Sequence, residues 1–141
     1  MIPKDRLFPA AVAGLAGGVV MFAMLGTLEA DVIAFVLPAI GGAFLAGLAC
    51  AGLFRFPGRR GLAFAALGAV AATLLGAAIA GLGLGLFIGP TIAGAWIAPY
   101  AVASAILTQP AVLLTWAVSM TLTSLLFRRM APAAGPVETG A

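Results

Sequence analysis

The side chains of this sequence that could do chemistry are few, and the densest group lies near its end. Thr108, Gln109, Thr115 and Ser119 stand within an apolar stretch, with Thr121, Thr123 and Ser124 close by. Ala111, Thr115, Ser119 and Thr123 are spaced by four, which puts them on one helix face as a polar stripe. In hydrocarbon such hydroxyls bond back to the carbonyl four residues earlier, or across to another helix. The functional alternative is that Thr108, Gln109, Thr115 and Ser119 line a narrow wet path, or hold the polar part of a lipid or quinone. Gln109 is the single side-chain amide of the chain and sits beside the helix-breaking Pro110.

Other chemistry is excluded by what is missing. With no histidine, the chain lacks the usual axial ligand of haem, the commonest zinc ligand and the commonest general base near neutral pH. A Ser-His-Asp or Cys-His arrangement cannot form, and the carboxylates that could pair are Glu29 and Asp31, which belong to a turn. Gly81-Leu-Gly-Leu-Gly85 is glycine-rich, but it has no preceding strand and no lysine to cradle a phosphate. Cys50 has no cysteine partner and reads as a small apolar packing residue. The expectation is a protein without enzymatic activity, cofactor or metal.

The elements that must position these residues follow from composition. Hydrophobic residues make up 64% of the 141 and charged residues 8%, against about 25% charged in a soluble domain. The bilayer is therefore the expected solvent. Backbone polar groups in hydrocarbon must be satisfied within a helix or a closed barrel. The runs here are apolar on every face, unlike the alternating strands of a barrel. All seven basic residues fall in three clusters: Lys4 and Arg6; Arg55, Arg59 and Arg60; Arg128 and Arg129. Lys and Arg are retained on the cytoplasmic side, so an even number of crossings must separate the clusters. The fold class that results is an all-α integral membrane protein with four transmembrane helices, both ends cytoplasmic, in a bacterial inner membrane. The basic clusters are topology signals and not a nucleic-acid footprint.

The predicted spans are about 8–28, 32–54, 61–86 and 104–127. Each of the first two is close to the roughly 20 residues that cross a bilayer, with Glu29, Ala30 and Asp31 left for a tight outer turn. The first apolar run is longer than a secretory signal core and lacks a small-x-small cleavage site, so it is expected to be retained. Pro38 predicts a kink in the second span, or a helix that starts nearer Pro38. Residues 55–60 read as a cytoplasmic loop with Pro57 and Gly58 as turn residues.

The stretch from 61 to 127 exceeds two minimal spans. Gly89-Pro90 breaks the third helix, and Trp96 and Tyr100 follow as interface anchors, since both rings favour the bilayer boundary. Residues 91–103 are expected to form a short interfacial or re-entrant segment between helices 3 and 4. The last span starts at Thr108, with Thr108 capping and Pro110 in the first turn, or near Ala101 with a kink at Pro110. A full crossing by residues 84–107 is the alternative. Residues 131–141 are predicted to be a flexible cytoplasmic tail.

Small residues recur at helical spacing. The widest such face is on the third span, where Gly68, Ala72, Gly76 and Ala80 form one row and Thr73, Ala77, Gly81 and Gly85 the next. Small side chains let helix backbones approach closely in lipid. Gly68, Ala72, Gly76, Ala80, Gly81 and Gly85 are therefore the candidate packing face, either within the bundle or toward a partner. The expected partners are the bilayer and other integral membrane subunits, or a second copy of the chain. This pattern suits a non-catalytic accessory or assembly subunit of a larger inner-membrane complex. A small homo-oligomeric channel or transporter using the last span is the alternative, and a lipid or quinone binding protein a further one.

Overall fold

A computed structural model of the chain describes residues 4–25, 32–55, 58–89 and 91–129. These residues are helical almost throughout, with no strand among them. They form α1 (Lys4–Leu25), α2 (Val32–Cys50), α3 (Gly58–Ile88), α4 (Thr91–Thr108) and α5 (Pro110–Arg129), with a single 3-10 turn at Leu53–Arg55 before α3. Three segments are long and apolar enough to cross a membrane: Arg6–Leu25, Gly61–Leu86 and Pro110–Arg129. The apolar parts of α2 and α4, Ala34–Cys50 and Ile92–Thr108, are shorter.

Small residues set the packing order. Along α1 and α2, Gly14 lies against Ile40 and Phe44, Gly18 against Val36 and Ile40, and Gly47 against Ala10 and Ala13, so the two helices run antiparallel. Between α2 and α3, Gly42 meets the carbonyl oxygen of Gly76, while Gly83 faces Pro38, again antiparallel. α3 and α4 also approach closely, where a Cβ on Gly81 or on Gly94 would strike the other residue's carbonyl oxygen. Only glycine permits that separation, because any side chain would hold the backbones apart. α5 returns along α1, with Val112 and Ala105 buried against Val20. It ends where Phe127 stacks on Phe54 at a ring-centroid distance of 5.2 Å and an interplanar angle of 8°.

These contacts bring four helix ends together. The start of α1, the end of α2, the start of α3 and the end of α5 lie at one end of the bundle, because each neighbouring pair is antiparallel. The backbone positions of all seven basic residues therefore share that end.

Several boundaries differ from the sequence expectation for physical reasons. The second helix starts at Val32, well before Pro38, which is accommodated inside it. It stops at Cys50, and Leu53–Arg55 tighten into a 3-10 turn that folds Phe54 into the core, so the predicted 32–54 span is two elements. Gly58, Arg59 and Arg60, assigned to a loop, form the first turn of α3. The segment after Gly89 is a helix of 18 residues, longer than the predicted 91–103. α4 and α5 are separated by Gln109 alone, and hydrogen bonding continues through the break. Gln109 N–H donates to Ala105 O at 2.9 Å, and Leu113 N–H donates to Gln109 O at 3.0 Å. Pro110 is the residue that cannot donate, so it begins α5 where its missing N–H does least harm. Thr108 does not cap this helix; its hydroxyl bonds backward to Ser104 O at 2.8 Å. Glu29, Ala30, Asp31, Pro57, Pro90 and the tail 131–141 lie outside the described residues.

Candidate functional site

Side chains from all five helices surround a central cavity of about 90 Å³. Its walls are small and apolar over α1, α2 and α3, where Gly17, Ala43, Ala72, Gly76 and Ala80 line it. A second pocket, of about 440 Å³, opens between α1, α2, α3 and α4. The two share Met21, Met24, Phe35, Leu84, Ala98 and Val102, so they adjoin.

Three of the side chains lining the central cavity carry hydrogen-bonding atoms: Thr73, Trp116 and Thr123. Each is already engaged. Trp116 Nε1–H donates to Thr73 Oγ1 at 2.8 Å, and the Thr73 hydroxyl donates to Ala69 O at 2.7 Å. The Thr123 hydroxyl, almost fully buried, donates to Ser119 O at 2.8 Å. An indole N–H in hydrocarbon needs a partner, and Thr73 is the single hydroxyl-bearing residue of α3. The pairing joins α3 to α5 across the cavity.

The predicted packing face is turned inward. Gly68 lies under Leu53 and the Phe54 ring, Gly76 rests on Gly42 and Ala43, and Ala72 and Ala80 are buried. Gly81 belongs to the α3–α4 crossing, and Gly85 lines the larger pocket. The predicted polar path has a different geometry. Thr115 bonds back to Ala111 O at 2.8 Å and Thr121 to Ala117 O at 2.7 Å, while Thr108 does the same to Ser104. Gln109 is exposed on the junction of α4 and α5. None of Thr108, Gln109, Thr115 or Ser119 lines either cavity. Trp96 and Tyr100 are 78% and 77% exposed and lie four apart on one face of α4, beside Ile92 and Leu107.

Sequence reasoning missed Trp116, Phe54 and Phe127. The signal for Trp116 was available: an indole deep inside a span rather than near its end calls for an acceptor on another helix, and α3 offers one hydroxyl. The Phe54–Phe127 stack had no comparable signal, because aromatic residues are common in apolar runs.

The described chain is thus a bundle of apolar helices, three of them long enough to cross a membrane. Comparison with known proteins gives no match: no family model, no curated protein and no solved structure aligns with it.

Proposed function

We propose that this chain is a non-catalytic integral membrane subunit of a bacterial inner membrane, packing against a larger respiratory, photosynthetic or transport complex and stabilising it or its assembly. In this reading α1, α2, α3 and α5 are four crossings with both ends cytoplasmic, and α4 is the re-entrant or interfacial element. The gathering of seven basic residues at one end supports an even number of crossings, since Lys and Arg favour the cytoplasmic side. The observation that carries the non-catalytic reading is the interior itself. Its hydroxyls and indole are hydrogen-bonded to other groups of the same chain, so that among the described residues no polar side chain on the cavity wall is left unpaired to act on a substrate.

The outer face of α4 supports a partner. Ile92, Trp96, Tyr100 and Leu107 are each more than three-quarters exposed, and large aromatic residues are enriched at the core of protein interfaces. The test is extraction of the tagged protein in mild detergent, followed by sizing and mass spectrometry. Stoichiometric co-purification with larger membrane subunits is the expected result. A discrete homo-oligomer without partners would move the weight to a channel or transporter.

A lipid or quinone binding role is favoured by one observation, the pocket of about 440 Å³ whose lining residues are apolar throughout. It is compatible with the subunit role, because an apolar tail seated there would need none of the polar groups of the last helix.

A further inference from the structure

We propose that the basic end of the bundle holds a specific site for the phosphate of an anionic phospholipid headgroup, at the corner formed by the 3-10 turn, the first turn of α3 and the last turn of α5. Phe54 and Phe127 stack and are fully buried, which fixes the backbones of the next residues, Arg55 and Arg128, at the same corner. Arg59 and Arg60 begin α3 from the same connection, and Arg129 ends α5. The backbone positions of five of the seven basic residues thus share that corner, and neither the 3-10 turn nor the first turn of α3 contains an acidic residue to balance them.

A second observation points to a ligand. Arg128 Nε is buried and has no hydrogen-bond partner among the described residues. A buried guanidinium N–H without an acceptor is costly, and phosphate oxygens match the guanidinium fork closely. The backbone N–H groups at the start of α3 add donors and the positive end of the helix dipole. The chemistry recognised is a phosphate monoanion at the bilayer surface. A lipid source fits because the exposed Leu62 and Leu125, each within a turn of the corner, offer apolar surface to acyl chains. Basic pockets between transmembrane helices bind anionic headgroups in this way.

The test uses the purified full chain in neutral detergent, with phosphatidylglycerol, phosphatidylcholine or inorganic phosphate added separately, read by native mass spectrometry and by thermal unfolding. Phosphatidylglycerol is expected to remain bound and to raise the unfolding temperature, with affinity at least about tenfold above phosphatidylcholine, which carries the same phosphate but whose choline ammonium is repelled by the arginines. Arg128→Gln should remove that preference, whereas Arg6→Gln, at an exposed position near the start of α1 at the same end, should keep it. If Arg128→Gln does not fold, the double variant Arg59→Gln/Arg60→Gln is expected to weaken the preference in the same direction. Equal binding of the two lipids, or equal effects of Arg128→Gln and Arg6→Gln, would overturn the proposal. Stabilisation by millimolar inorganic phosphate alone would assign the corner to soluble phosphate and overturn the lipid source.

Discussion

The indole of Trp116 donates its N–H to the hydroxyl of Thr73 at 2.8 Å, and that hydroxyl in turn donates a hydrogen bond to the carbonyl of Ala69 at 2.7 Å. Helices α3 and α5 otherwise meet little, because α5 packs on α1 and on the 3-10 turn. The relay is therefore the polar tie that closes α1, α2, α3 and α5 around the central cavity.

Breaking that tie should destabilise the bundle by an amount typical of a hydrogen bond between helices in lipid, about 1 kcal/mol. Trp116→Phe keeps the ring and removes the donor. Thr73→Val keeps the shape and removes the acceptor, leaving the indole N–H unpaired, so it should cost more than Trp116→Phe. In a double-mutant cycle read by the midpoint of SDS unfolding, the two changes should be strongly non-additive. Additive effects would mean that the bond contributes nothing to folding.

Adjacent glycines of α2 should respond to alanine with opposite signs. A Cβ on Gly42 would run into the backbone oxygen of Gly76 and lie 3.0 Å from Ala80 N, atoms that cannot move without shifting a helix. Gly42→Ala should therefore destabilise by about 1–3 kcal/mol, the usual range for overpacking. At Gly41 nothing lies within 4 Å of the added carbon. Gly41→Ala should stabilise by up to about 0.5–1 kcal/mol through the better helix propensity of alanine. Thermal unfolding of the two variants side by side checks this pair, and similar effects at both sites would contradict the α2–α3 packing.

The contrast at Gly41 and Gly42 also shows what the sequence could and could not disclose. Rows such as Gly68, Ala72, Gly76 and Ala80 are visible as spacing, and they announce that some backbone comes close. They do not say which one, because alanine and glycine are so frequent here that many rows compete. That is why the partners of this row, α2 and the 3-10 turn, needed the fold. The all-helical class and the third span, Gly61–Leu86, were legible because length, apolarity and the flanking arginines agree. The end of α2 was not, since Ala51, Gly52, Leu53 and Phe54 are as apolar as a continuing helix and the chain turns there to bury Phe54. The polar stripe of α5 was legible as a stripe, and its hydroxyls bond back to carbonyls of their own helix, as expected of hydroxyls in an apolar stretch.

Cysteine labelling should place the basic end. Cys50 is buried in the cluster with Ala46, Phe54 and Phe127, so a permeant maleimide should not modify it until the protein is unfolded. In a Cys50→Ala background, Gly58→Cys puts a thiol at the start of α3, among the arginines. An impermeant maleimide should label it in inside-out vesicles and not in intact cells. Labelling from outside intact cells would reverse the proposed orientation.

The two tryptophans give the depth of α4 directly. Trp96 is 78% exposed on the outer face of that helix, whereas Trp116 is turned inward toward Thr73 and the cavity. In bilayers containing brominated lipids, the fluorescence of the Trp116→Phe variant reports Trp96 alone, and that of Trp96→Phe reports Trp116 alone. Trp96 should be quenched strongly and Trp116 weakly, since quenching requires contact with lipid. Moving the bromines along the acyl chain then locates Trp96. Strongest quenching from bromines near the headgroup is the expected result for a ring whose polar edge seeks the interface. That outcome fits α4 as the interfacial element of the proposed topology. Because the Phe54–Phe127 stack keeps the end of α5 beside the end of α2, strongest quenching from bromines near the bilayer centre would instead make α4 a re-entrant helix that dips into the hydrocarbon, and overturn its placement along the interface.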